Sequence, residues 1–161
     1  MTFLDLCGHE KYLKTTMFGL VGLMPDFSMI VVGANMGVSR MTREHLGISL
    51  ALGIPIFIVV TKIDIAPKQI YDETMTTLTK ILESKQAGKQ VNLIHEKSDV
   101  EICAKAMPSN QACPIFSISN VTGEGLGKLK EFLACLKSRT HISGQFGLPT
   151  DPVEFFIDGI Y

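Results

Sequence analysis

No stretch of this sequence offers the roughly 20 consecutive apolar residues that a helical membrane span requires. The longest apolar run, residues 48–60, is interrupted by Ser49, Gly53 and Pro55, which excludes a transmembrane helix there. Met1-Thr2-Phe3-Leu4-Asp5 lacks the basic segment, apolar run and small-residue cleavage site of a secretory signal, so the cytoplasm is the expected compartment and no membrane partner is expected. There is little excess charge of either sign: the formal net charge is −1. Any recognition of phosphate or nucleic acid must therefore be local rather than driven by bulk charge. Cys7, Cys103, Cys113 and Cys135 form no C-x-x-C pair, which argues against a zinc site or redox motif and for free or buried thiols. What is present suits one packed domain: 161 residues, 46% apolar and 19% charged, near the globular average and far from a disordered composition.

Apolar patterning predicts an alternation of strands and helices. Phe3-Leu4-Asp5-Leu6 reads as a short strand ending before Gly8, and residues 10–23 carry helical spacing through Tyr12, Leu13, Met17, Phe18 and Leu20. Met29-Ile30-Val31-Val32 and residues 54–60 are continuous apolar runs, as expected of central parallel strands buried on two faces. Between them a helix is predicted, with Thr42 as its cap and Leu46, Leu50 and Leu52 facing inward. Pro67 opens a further helix with Ile70, Thr74, Leu78 and Leu82 on one side, closing near Gly88. A short strand at residues 91–94, a helix at 99–106, a strand at 114–118 and a helix at 125–136 complete the pattern. The fold class this implies is α/β, a mainly parallel sheet with helices on both faces. Domain organisation follows: residues 1–140 as one unit, 141–152 as a Gly- and Pro-bearing linker, and 153–161 as the start of a second module.

Ligands of open α/β sheets collect beyond the carboxyl ends of the strands, and three such loops carry unusual residues. In Asp5-Leu6-Cys7-Gly8-His9-Glu10 a carboxylate is placed to hold magnesium, directly or through water. The same loop offers a glycine whose N–H can approach a phosphate and a histidine able to orient a water. Taken alone it also fits a strand end, a turn and a surface histidine. His9-Glu10 resembles the opening of H-E-x-x-H, but Leu13 stands at the second histidine position, so a zinc-protease reading fails. In Thr61-Lys62-Ile63-Asp64 a carboxylate can accept from both N1–H and the exocyclic amine of guanine while the lysine stem covers the purine face. Ser119-Asn120-Val121-Thr122-Gly123-Glu124-Gly125 is a turn whose backbone N–H groups can meet the base carbonyl.

The order and spacing of these loops resemble the third, fourth and fifth signature segments of G-domain GTPases. D-x-x-G-H-E and Thr42-Arg43-Glu44-His45 resemble the translation-factor class typified by elongation factor Tu, and residues 3–16, Thr61-Lys62-Ile63-Asp64 and residues 118–124 are similar to the GTP-binding protein 1 and 2 group within it. The resemblance implies GTP binding and hydrolysis as a translational-type GTPase, with GTP or GDP and Mg²⁺ as ligands and a ribosome or RNA-containing complex as partner. It implies that Asp5 holds the metal through water, that the Gly8 N–H binds the γ-phosphate and that His9 positions the attacking water. Thr61, Lys62 and Asp64 would read guanine, with Ser119, Asn120 and Val121 at the base carbonyl. The sequence departs from the commoner N-K-x-D at Thr61 and from S-A-K at Asn120-Val121. Lys11, Lys14, Arg40 and Arg43 near the first loop suit either a nucleic-acid contact or a solvated charged face. Oligomeric state is not indicated.

No G-x-x-x-x-G-K-S/T occurs, and the segment that should supply a switch threonine is not found. The expected architecture is thus a partial P-loop NTPase-like G domain lacking the phosphate-loop strand, which the resemblance places between the Asp5 strand and the Met29 strand. Each backbone group left unpaired and buried there costs on the order of 1–3 kcal/mol. The alternative to a GTPase is a non-catalytic fragment or interaction module that keeps the fold without turnover. A fluorescent guanine nucleotide titrated against these 161 residues alone is expected to bind weakly or not at all; micromolar or tighter binding would overturn that expectation.

Overall fold

A computed structural model describes residues 1–138. The expected linker at 141–152 and the start of the second module at 153–161 lie outside the described residues. Four parallel strands form one sheet in the order β1-β2-β4-β3: β1 (Ser28–Gly33), β2 (Ile56–Thr61), β3 (Gln90–Leu93) and β4 (Ala112–Ser117). Five helices accompany them, α1 (Leu13–Leu23), α2 (Arg40–Ala51), α3 (Lys68–Leu82), α4 (Lys97–Ala106) and α5 (Leu126–Cys135).

The central strand explains the two-layered core. Strand residues alternate faces, and every residue of β2 is buried. Ile56, Ile58 and Val60 enter one cluster with Leu46 of α2 and Leu78 and Leu82 of α3. Phe57 and Val59 enter the other with Val100 of α4 and Leu129 and Phe132 of α5. Phe57, Phe116 and Phe132 meet there at centroid separations of 6.5, 5.2 and 4.9 Å. The expected α/β class with helices on both faces is what the structure has.

Four expectations are corrected. Residues 3–6 form no strand; among the described residues nothing lies alongside them to complete a ladder, and an extended segment without a partner has no hydrogen bonds to hold it. β1 is an edge strand rather than a central one. Ile30 and Val32 are buried, but Met29 and Val31 are 40% and 54% exposed, because no described helix covers that end of the second face. Between residues 1–8, α1 and β1 lies a cleft of about 1160 Å³ bordered by Phe3, Leu4, Leu20, Met24, Met29 and Val31. Helix α2 is capped by Ser39, whose hydroxyl accepts from the Thr42 N–H at 3.1 Å, so the helix begins ahead of Thr42. Leu52, expected inside, is 42% exposed because α2 ends at Ala51 and turns away at Gly53.

Truncating Phe132, fully buried at the centre of the ring cluster, removes both contacts and volume. Phe132→Ala is expected to cost about 3–5 kcal/mol by chemical denaturation; a loss below about 1 kcal/mol would mean the cluster is not a load on folding.

Candidate functional site

Two of the three loops are brought together by the sheet. Strands β2 and β4 are neighbours, with Val60 paired to Ser117. Beyond the ladder, the Ile118 N–H donates to the Val60 carbonyl at 2.8 Å and the Ile63 N–H to the Ile118 carbonyl at 3.5 Å. Residues 61–64 and 119–125 therefore leave adjacent strands at one rim. β1 ends at the same rim, since the Ala34 N–H donates to the Thr61 carbonyl at 2.8 Å.

Within residues 61–64 the roles divide. Thr61 is buried and its hydroxyl donates to the Val32 carbonyl at 3.4 Å, so it braces β1. Lys62 takes a left-handed backbone, φ 61°, uncommon for a residue with a side chain and a mark of a constrained turn. Lys62 and Asp64 are exposed, and neither makes an ion pair among the described residues. Their charges are open to a ligand.

The second loop is closed by its own bonds. The buried Ser119 hydroxyl accepts from the N–H groups of Val121 and Thr122 at 3.2 and 3.1 Å. Its N–H donates to the Glu124 carbonyl at 3.0 Å, and its carbonyl accepts from the Gly123 N–H at 3.0 Å. Gly125 has φ 73°, and a Cβ there would collide with the Ser117 carbonyl, so only glycine fits. The Asn120 N–H is left without a partner among the described residues, whereas that of Val121 is taken and the Val121 side chain is 84% exposed.

The first loop is anchored differently. Leu6 presses on Gly19 of α1, where a Cβ would come within 2.9 Å of its Cδ2. The Thr16 hydroxyl donates to the Cys7 carbonyl at 2.9 Å. His9 caps a short 3-10 turn, Glu10–Tyr12, its Nδ1 accepting from the Lys11 N–H at 3.1 Å. With Nδ1 occupied as an acceptor, the neutral ring carries its proton on Nε2, which is the only ring nitrogen left to meet another group. Glu10 reaches Arg40 at 3.6 Å, placing the turn beside the start of α2, which follows the carboxyl end of β1. Asp5 and Gly8 are exposed, and among the described residues no hydrogen bond or ion pair joins Asp5, Gly8 or His9 to residues 61–64 or 119–121. Arg40 is engaged by Glu10 and Glu44, while Lys11 lies 5.7 Å from the Tyr12 ring centre.

The thiols do not form a site. Cys7 and Cys135 are exposed, Cys103 and Cys113 buried, all free, and burial pushes the Cys113 thiol up to about 12. Among the described residues no three His, Cys, Asp or Glu side chains converge as metal ligands, and no helix is long and apolar enough to cross a membrane.

Sequence patterning missed the Tyr71 hydroxyl of α3, 2.8 Å from the Ser117 hydroxyl at the end of β4. The partners are 46 residues apart, and no local spacing announces such a pair.

Comparison with known proteins bears on the family and the fold. The chain is 49% identical over its whole length to GTP-binding protein 1 of Xenopus laevis, of which it covers 24%. It is 41% identical to human GTP-binding protein 2, again over its whole length and 27% of that protein. A selenocysteine-specific elongation factor of Methanocaldococcus jannaschii is 30% identical over 99% of the chain and 30% of that factor. The crystal structure of translation elongation factor SelB from Methanococcus maripaludis with the GTP analogue GppNHp shares the fold, with a TM-score of 0.58 at 24% identity over 81% of the chain and 24% of that structure. The chain thus spans about a quarter of the length of these relatives. The family model of the elongation factor Tu GTP binding domain matches residues 1–138, and the chain belongs to that family.

Proposed function

We propose that this chain supplies the base-reading and water-positioning parts of a GTP hydrolase of the translation-factor type, the complete activity residing in a longer protein. The observation that carries the reading is the shared rim. Two charged side chains with no ion pair among the described residues, Lys62 and Asp64, stand beside a closed turn whose Asn120 N–H has no partner among those residues. The Asp64 carboxylate accepts from guanine N1–H and the exocyclic amine, the Lys62 stem lies on the ring, and the Asn120 N–H donates to the base carbonyl. Adenine lacks the donor pair, so the loop selects the base. Thr61 and Ser119 act from behind, their hydroxyls holding the two loops in shape, and Val121 flanks the base through its exposed side chain.

On the phosphate side the Gly8 N–H meets the γ-phosphate and His9 Nε2 orients the attacking water. Phosphoryl transfer asks a protein mainly for position and charge stabilisation, so His9 needs no unusual basicity. Asp5 is a lone exposed carboxylate, a donor set that fits Mg²⁺ kept largely by water and nucleotide oxygens rather than by a protein cage. That ion supplies neutralisation of phosphate charge when bound. The names of the relatives point to translation, and a ribosome or RNA-containing complex in the cytoplasm is the proposed setting. One observation favours a non-catalytic module for these residues taken alone: no G-x-x-x-x-G-K-S/T occurs in them. Turnover by the isolated chain would dismiss that alternative.

In the full-length protein, Asp64→Asn is expected to weaken GTP by about 100-fold, two charge-assisted bonds being lost, and to shift preference toward xanthine nucleotide. An unchanged preference in competition binding would remove Asp64 from the site. His9→Ala is expected to slow single-turnover hydrolysis by about 100-fold with nucleotide affinity kept within about twofold; normal turnover would strip His9 of its role.

A further inference from the structure

The two loops assigned to the base have little holding them in register. Past the last ladder pair, Val60 with Ser117, the backbone contributes one good hydrogen bond, Ile118 to Val60, and one long one, Ile63 to Ile118 at 3.5 Å. The first loop contains a left-handed Lys62, a conformation that persists only where its surroundings enforce it. The sole side-chain hydrogen bond among the described residues that joins the element after the first loop to the strand before the second is Tyr71 to Ser117, 2.8 Å between hydroxyls.

Both ends of that bond sit at joints. Tyr71 lies in the first turn of α3, its N–H donating to the Pro67 carbonyl at 3.0 Å, so its backbone is tied to the chain that follows Asp64. The ring itself rests against the first core cluster, which fixes where the hydroxyl points. Ser117 is the last residue of β4, two before Ser119, and its carbonyl is closely approached by Gly125 at the start of α5. Ser117 thus meets β2 through its backbone pairing, α5 through its carbonyl and α3 through its hydroxyl.

From this geometry we infer that Tyr71, acting through Ser117, is a positioning residue for purine selectivity: it sets the distance between the Asp64 carboxylate and the Asn120 N–H. The inference rests on the proposed guanine site. A purine ring is rigid, so its amide edge and carbonyl are satisfied together only at one loop-to-loop spacing. If the spacing relaxes, each contact can form but not both at full strength, and a base with fewer groups to satisfy suffers less. Inosine nucleotide, which lacks the exocyclic amine, is the discriminating probe.

The test uses Tyr71→Phe and Ser117→Ala, singly and combined, in the full-length protein. Removing one hydroxyl keeps the ring on the core, and melting temperature is expected to stay within about 3 °C of wild type. GDP dissociation, followed by stopped flow with a fluorescent derivative, is expected to accelerate about fivefold, the size of one lost neutral hydrogen bond. The GDP-to-IDP affinity ratio is expected to shrink by about half or more. The double variant is expected to match either single one, because both remove the same bond. An unchanged GDP-to-IDP ratio, with or without a fall in melting temperature, would reduce Tyr71 to a structural brace and overturn the inference. Asp64→Asn separates the two levels. If it shifts base preference and Tyr71→Phe does not, only the positioning role falls; if Asp64→Asn leaves preference untouched, the guanine assignment falls with it.

Discussion

Strand β2 is the constraint on which the rest depends. It is paired in parallel on both edges, to β1 and to β4, and all its residues are buried, alternate side chains feeding opposite cores. A strand bonded on both edges and covered on both faces has no low-energy way to shift, because moving it one residue exchanges its two faces. The segment 61–64 is its direct continuation. A loop is only as well placed as the element it leaves, and this one leaves a strand buried at every residue and paired on both edges. The same logic extends one strand over. β4 carries Ser119 to Val121 and is paired to β2 and β3, with Ile115 in one core and Phe116 in the other.

The segment ending at His9 is held by weaker means. Among the described residues it has no ladder, and its ties to other elements there are a side chain against Gly19, one hydroxyl-to-carbonyl bond and the ion pair of Glu10 with Arg40. Those two charged side chains are 63% and 77% exposed, and a pair so hydrated contributes at most about 1 kcal/mol. The molecule is therefore graded: the proposed base-reading loops leave paired, buried strands even though few bonds join one loop to the other, whereas the segment ending at His9 leaves no strand among the described residues. Segments that reorganise with ligand state are drawn from the less stable parts of a fold. In the proposed site this division suits a protein that must keep its nucleotide's identity fixed while responding to whether the γ-phosphate is there.

What the sequence made legible follows from how local each signal is. The apolar run at residues 54–60 and the i, i+4 stripe Thr74, Leu78, Leu82 are patterns that burial itself creates, so β2 and α3 are readable with small errors at the ends. β1 misled because an apolar run looks the same whether a strand is central or at an edge; exposure of Met29 and Val31 depends on what covers them, which no local pattern encodes. The cap of α2 misled for a related reason. Ser39 and Thr42 are both good capping types, and their hydroxyls lie 2.9 Å apart, so composition alone could not choose. The candidate residues of the site were legible as motifs, but the partners of their polar atoms were not. Thr61 turns back to Val32, Ser119 spends its hydroxyl inside its own loop, and Tyr71 reaches Ser117 across 46 residues.

The glycines separate what the fold requires from what a ligand would require. Gly125 is dictated from within, by its positive φ and by the Ser117 carbonyl that a side chain would strike. Gly8 is dictated by neither, since its φ is not left-handed and a Cβ would meet nothing within 4 Å. Internal packing thus gives no reason for glycine at that position, next to a histidine whose Nδ1 is already committed to a backbone N–H. In the proposed site the reason comes from outside: a phosphate oxygen must reach the N–H of residue 8 more closely than a methyl group would allow. The fold alone would accept alanine there, whereas the proposed phosphate contact would not.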